Sequence, residues 1–159
     1  MAEPLEVQLI QAFRRRGWTL ALAESCTGGL IGHRLTNVPG SSDYFLGGIV
    51  AYAYEAKERL LGVRHETLYQ HGAVSRETAI EMARGARLVL GADVGVSVTG
   101  IAGPTGGLPD KPVGLTWIAV STRDHEQAQQ FLWKGDRAAN KEESAEAALH
   151  LLLEAVERG

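Results

Sequence analysis

The stretch Thr19-Leu20-Ala21-Leu22-Ala23-Glu24-Ser25-Cys26-Thr27-Gly28-Gly29-Leu30 decides the fold. Thr19–Ala23 is a short apolar run of strand length that follows Gly17 closely. Leu30 to Leu35 reads as helix. The residues between them carry a carboxylate, two hydroxyls, a thiol and two glycines. A strand that runs straight into a helix N-terminus belongs to an α/β sheet. Such a corner points backbone N–H groups, and the positive end of the helix dipole, at whatever lies in front of it.

The same grammar continues outward. Leu5, Leu9, Ile10 and Phe13 recur at helical spacing, and Arg14 to Arg16 followed by Gly17 closes that opening helix. Asn37 to Ser42 contains Pro39 and Gly40 and reads as loop. Gly47–Tyr52 resembles a second strand, and Tyr54–Leu61 a helix stopped by Gly62. Ser75-Arg76-Glu77-Thr78 opens the clearest helix, whose apolar face is Ala79, Met82, Ala83, Ala86 and Leu90. Val94–Thr99 is a third strand, and Gly100 to Pro112 a loop rich in glycine and proline. Val113–Thr122 and Ala128–Trp133 read as an antiparallel pair joined by a polar turn, and Ala138–Arg158 as a closing helix. The expected architecture is α/β: a three-layer α/β/α single domain over residues 1–159, with a mixed central sheet. No repeat, low-complexity stretch or linker interrupts it.

Composition narrows the function classes. The 159 residues are one domain's worth of chain. Sixteen Lys and Arg stand against 19 Asp and Glu, a net charge of −3, which argues against a partner nucleic acid held by a basic face. A single cysteine excludes an internal disulfide and any multi-cysteine metal cluster. The N-terminus lacks the basic start and apolar core of a signal peptide. The uncharged run Val94 to Pro109 holds too much glycine and proline for a membrane span. The expectation is a cytoplasmic protein with no membrane partner.

Four segments carry candidate chemistry. At the corner, Ser25 or Cys26 is exposed as a nucleophile, and Thr27, Gly28 and Gly29 offer a cradle for an oxyanion or a phosphate. Ser and Thr are also favoured helix caps, so the pattern alone leaves a purely structural corner open. Neighbouring residues on a turn point apart, and the pattern does not decide between the hydroxyl and the thiol. None of the five histidines has a motif-like setting, so a Ser-Lys arrangement is the alternative to a triad. Tyr52, at a strand end, and Lys57, a turn into the next helix, could face one crevice. Glu55-Ala56-Lys57-Glu58-Arg59 can equally be a solvated face. The loop Thr99-Gly100-Ile101-Ala102-Gly103-Pro104-Thr105-Gly106-Gly107 matches neither the Walker pattern nor the dinucleotide fingerprint. It can still wrap a phosphate with backbone N–H groups, through Gly100, Ala102, Gly103, Thr105 and Gly106. In Gly135-Asp136-Arg137, Asp136 can cap the last helix and Arg137 can grip a phosphate or carboxylate.

These segments occur together in a recognisable order: Ala23 to Gly29, Tyr52 with Glu55-Ala56-Lys57, Gly72-Ala73-Val74-Ser75, Gly100 to Pro104, Lys111 to Gly114, and Gly135-Asp136-Arg137. Order and spacing resemble the CinA C-terminal domain family, the PncC-type nicotinamide-nucleotide amidases, from about Leu5 to about Leu153. The resemblance implies hydrolysis of the carboxamide of nicotinamide mononucleotide to nicotinic acid mononucleotide and ammonia. It maps the nucleophile onto Ser25 and the assisting pair onto Tyr52 and Lys57, with no cofactor and no metal. It also suggests a homodimer, for which Trp18, Tyr44, Phe45 and Trp117 are candidate anchors. Where the family usually reads Tyr-Ser-Asn-Glu-Ala-Lys, this chain has Ala53 and Tyr54, a departure that bears on rate and substrate choice. Two rival readings are a non-catalytic nucleotide-binding or regulatory domain and a hydrolase that depends on Cys26.

Overall fold

A computed structural model describes residues 3–158. Five strands form one mixed sheet in the order β2-β1-β3-β4-β5. They are β1 (Leu20–Glu24), β2 (Phe45–Val50), β3 (Val94–Gly100), β4 (Leu115–Thr122) and β5 (Glu126–Leu132). β1 pairs parallel with both β2 and β3, whereas β4 runs antiparallel to β3 and to β5. The helices are α1 (Leu5–Arg16), α2 (Leu30–Thr36), α3 (Tyr54–Leu61), α4 (His65–His71), α5 (Arg76–Leu90) and α6 (Arg137–Arg158). They cover both faces of the sheet, which makes the three-layer α/β/α domain expected.

Period-two alternation sorts the core. Leu20 and Leu22 of β1 join Val94, Val96 and Val98 of β3 and Ile118 and Val120 of β4 on the face covered by α1, α2 and α6. Ala21 and Ala23 point the other way, toward Leu61, Leu68, Met82 and Ala86 of α3, α4 and α5. Residues on that second face are small because α5 lies close. A Cβ on Gly95 would collide with the carbonyl oxygen of Ala83, and the Ser97 hydroxyl donates to the carbonyl of Ala79. All five residues of β1 are buried. A parallel strand covered on both faces reads as a continuous apolar run rather than an alternating one.

Several boundaries shift by one or two residues. β4 starts at Leu115 rather than Val113 because the Gly114 N–H turns to the carbonyl of Ile101. β5 starts at Glu126 rather than Ala128, since the turn before it is tight: Thr122 N–H bonds the His125 carbonyl, and His125 N–H bonds the Thr122 hydroxyl. β2 ends at Val50, which leaves Tyr52 in the bend before α3. The helix α4 was not expected. Arg64 gives it no side-chain cap, and only Thr67 and Leu68 are buried, so its pattern is faint.

Three of the four aromatic residues named as interface anchors are half-buried and the fourth is buried. Tyr44 is 2% exposed and stacks on Phe13 at 4.5 Å, while Trp18, Phe45 and Trp117 pack against the core clusters. No helix among the described residues is long and apolar enough to cross a membrane.

Candidate active site

The carboxyl end of β1 delivers Ser25 to a cleft between strand ends. The Ser25 N–H bonds the carbonyl of Val98 in β3, which continues the sheet pairing one residue past β1. On the other side, Ala51 N–H bonds the carbonyl of Glu24. The second bond holds the segment that leads into α3 beside the end of β1. Lys57, on the first turns of α3, reaches back across the gap.

Lys57 is 1% exposed. Its Nζ lies 3.0 Å from Ser25 Oγ, 2.9 Å from the carbonyl oxygen of Ala51 and 2.9 Å from that of Tyr52. No carboxylate lies within 4.0 Å of it among the described residues. Burial without a counter-ion disfavours the ammonium, and the pKa of Lys57 is lowered from 10.5 to about 8. A neutral amine has two N–H donors and one lone pair. The two carbonyls can take the donors, which leaves the lone pair for the Ser25 hydroxyl. The Ser25 hydroxyl thus faces an amine that can accept its proton.

Cys26 has a different environment. It is 8% exposed, and burial pushes its thiol up to about 12, against the weaker pull of the Lys57 and Lys141 charges. It stays a thiol near neutral pH, and the thiolate is the nucleophilic form.

Glu24 was not among the expected site residues, yet it organises the corner. The side chain is 2% exposed. Its Oε1 accepts the Thr27 hydroxyl at 2.6 Å and the N–H groups of Gly29 and Ile31, each at 3.1 Å. Its Oε2 accepts Gly32 N–H at 3.0 Å. The N-terminal donors of α2, expected to meet a ligand, thus already meet a carboxylate of the same chain. The Gly28 N–H bonds the Ser25 carbonyl. Gly28 and Gly29 adopt φ of +60° and +105°, which lets the chain double back over Glu24. In the run from Ser25 to Gly32, only the amides of Cys26 and Thr27 have no acceptor among the described residues.

The cleft holds about 190 Å³, and its wall includes Ser25, Cys26, Tyr52, Lys57, Val74 and Arg137. Gly100, at the end of β3, and Ala102, in the long loop, line it; Thr105 and Gly106 are exposed and do not. Gly103 acts indirectly, since its carbonyl accepts Arg137 Nη1 at 2.7 Å. Arg137 Nη2 donates to the Tyr52 hydroxyl at 3.2 Å. The Tyr52 side chain is 63% exposed and bonds this guanidinium; its link to Lys57 is through the backbone carbonyl. Asp136 caps α6 through the Ala139 N–H. Ala73, Val74 and Thr99 were not singled out as site residues. The Thr99 hydroxyl donates to the Ala73 carbonyl, and the Ala73 N–H donates to the Tyr54 hydroxyl at 3.3 Å. Tyr54, one of the two departures from the family pattern, thus holds a wall of the cleft.

The model of the CinA C-terminal domain matches residues 2–156. The chain belongs to this family. Among relatives of this CinA C-terminal domain, a CinA-like protein of Salinibacter ruber is 55% identical over 91% of the chain, and one of Chloroherpeton thalassium is 52% identical over 95%. The chain spans 35% and 37% of the length of those two proteins. Solved structures match it over nearly their whole length. The competence/damage inducible protein CihA of Agrobacterium tumefaciens superposes with a TM-score of 0.92 at 41% identity, covering 96% of this chain and 93% of that one. The CinA superfamily protein of Klebsiella pneumoniae 700603 gives 0.94 at 34% identity, covering 98% and 97%.

Proposed function

We propose that this CinA-family domain is an amidohydrolase that deamidates nicotinamide mononucleotide, with Ser25 as nucleophile. The observation that carries the reading is the buried Lys57 amine 3.0 Å from Ser25 Oγ, held by two carbonyls and no carboxylate. A lysine kept only for structure gains nothing from that placement, since burying a charge without a counter-ion is costly.

Ser25 Oγ attacks the carboxamide carbon while Lys57 takes the hydroxyl proton. The developing oxyanion is held by the amides of Cys26 and Thr27, the two donors of the corner without an acceptor among the described residues. The Lys57 ammonium then returns the proton to the departing nitrogen, and ammonia leaves with an acyl-enzyme behind it. Water attacks the ester, Lys57 accepts its proton, and the proton passes back to Ser25 Oγ. The acid product leaves. Tyr52 and Arg137 form the rim, where Arg137 binds the substrate phosphate and Tyr52 orients Arg137. The chemistry calls for no metal or cofactor.

Incubation with nicotinamide mononucleotide should release one ammonia per nicotinic acid mononucleotide formed. Tight nucleotide binding with no ammonia would favour the non-catalytic reading. A homodimer belongs to the proposal: β2 is an edge strand without charge, and its Leu46 and Val50 are exposed.

A further inference from the structure

Two of the recurring segments, Gly72-Ala73-Val74-Ser75 and Lys111-Pro112-Val113-Gly114, take no step in the proposed reaction, yet they meet. Lys111 Nζ donates to the carbonyl of His71, the last residue of α4, at 2.5 Å. No carboxylate lies within 4.0 Å of this ammonium among the described residues. Gly72 makes its seat. A Cβ on Gly72 would stand 2.7 Å from Lys111 Nζ, and the φ of +84° there suits glycine alone.

The seat adjoins the cleft, since Ala73 and Val74 line it. Side chains from α3, β3 and the start of α5 hold that wall. The Gly72 carbonyl accepts the Ser75 and Thr78 hydroxyls at 2.9 and 2.7 Å, and Ala73 is bonded to Tyr54 and Thr99. Lys111 comes from the loop 101–114. Leu108 and Lys111 exchange both backbone bonds, which closes the tip of that loop as a tight hairpin. Val113 packs against Gly103, where a Cβ would collide with its Cγ1. At the start of the loop, Ala102 and Gly103 give their carbonyls to Asn140 and Arg137 of α6. The loop is thus tied to α6 at its start and to the end of α4 at its tip, and both ties adjoin residues that line the Ser25 cleft.

We propose that Lys111 is a positioning residue for the Ser25 cleft: it fastens the tip of the 101–114 loop to the wall at Ala73 and Val74, so that this wall and the opposite rim stand at a fixed separation before substrate enters. The role rests on reading the cleft as an amidase. Lys111 is outside the cleft lining and touches no reacting atom. With the tie cut, loop and wall must be ordered at the moment of binding, and that cost falls on KM. Ser25 and Lys57 are held by β3, Ala51 and Tyr52, which the tie does not reach, so kcat is spared.

Lys111→Met keeps the stem and removes the charge. Hydrogen–deuterium exchange reads the tie without turnover. The amides of Leu108 and Gly72 should exchange roughly tenfold faster in the variant, while those of β1 and β3 keep their rates. Ammonia release from nicotinamide mononucleotide should show KM raised roughly tenfold, the size of one charge-assisted bond, and kcat within about twofold. Gly72→Ala pushes the ammonium off its seat and should give the same split, and the double variant should lose little more than either alone. Melting temperatures of all variants report on folding. Unchanged exchange, an unchanged KM, a loss confined to kcat, or fully multiplicative losses in the double variant would overturn the inference. Ammonia release by the unaltered protein keeps the two claims apart. Release with a KM that Lys111→Met does not move sinks the positioning role and spares the amidase; no release sinks the amidase reading and the inference with it.

Discussion

Lys57 should leave its mark on two pH profiles at once. Its pKa stands at about 8 in the folded protein, against 10.5 for an ordinary lysine. Between those values the unfolded chain holds a proton that the folded chain has given up. Unfolding therefore takes up a proton in that window, and stability rises with pH across it. Each pH unit of separation is worth about 1.4 kcal/mol, so the full change is on the order of 3 kcal/mol. Roughly 2 kcal/mol of it falls between pH 7.5 and 9.5. Below about pH 8 both states are protonated, and the contribution is lost. Lys57→Met keeps much of the volume and removes the titration. Urea unfolding of both proteins at the two pH values isolates the effect, because every other group titrates in both. The difference between them should shift toward the native protein by roughly 2 kcal/mol at the higher pH.

In the proposed reaction the same group is the base. A free-enzyme base with a pKa of about 8 is roughly one-tenth neutral at pH 7 and nine-tenths neutral at pH 9. The kcat/KM for nicotinamide mononucleotide should climb about tenfold between those values and then level. The Cys26 thiol, at about 12, contributes no limb there. A profile flat from pH 7 to 9, together with a stability difference that does not change with pH, would refute the argument. Lys57 would then be a buried ammonium, and the base would have to be sought elsewhere.

Five further outcomes follow. Ser25→Ala and Lys57→Ala should each abolish most ammonia release, and the double variant should lose little more, because the pair acts as one unit. Cys26→Ala should leave turnover nearly unchanged, whereas its loss there with activity retained in Ser25→Ala would reassign the nucleophile. Arg137→Ala should raise KM for the mononucleotide roughly tenfold to a hundredfold, by loss of a contact of about 1.5–3 kcal/mol, and act far less on the riboside. Glu24→Ala strands three amides and a hydroxyl, so it should cost about 3 kcal/mol and lower Tm by roughly 6–12 °C, read by calorimetry. Light scattering at micromolar concentration should give twice the chain mass; a particle of 17.1 kDa would reject the dimer.

The sheet was legible because its strands obey simple constraints. β1 is buried on both faces and apolar from Leu20 to Ala23, and β3 alternates valine with glycine, serine and threonine because α5 lies on one face. What was faint follows physical sense too. α4 buries little, so its sequence carries hardly any period. Aromatic content alone pointed to an interface, but Tyr44 is buried on Phe13, and only packing could reveal that. Ser25 and Lys57 are 32 residues apart in the chain. Their contact exists only because β2 lies parallel beside β1, so no local pattern could have paired them. The residue pattern offered both as candidates, and the family resemblance chose Ser25 over Cys26 and paired it with Lys57.

The corner itself holds the more general point. A strand turning into a glycine-rich helix start suggests that the helix dipole serves a ligand. Here Glu24 takes the Gly29, Ile31 and Gly32 amides, and the dipole stabilises a buried carboxylate. That has two consequences for the site. The carboxylate is drawn toward α2 and away from Lys57, which is left with only neutral carbonyls and the Ser25 hydroxyl around its amine. Were Glu24 free to swing toward Lys57, the ammonium would gain a counter-ion and stop being a base near neutral pH. Anion binding, displaced from the α2 terminus, then falls to the side chains of α6. The arrangement of Glu24 thus leaves Lys57 without a counter-ion and, in the proposed reaction, leaves Arg137 to meet the phosphate.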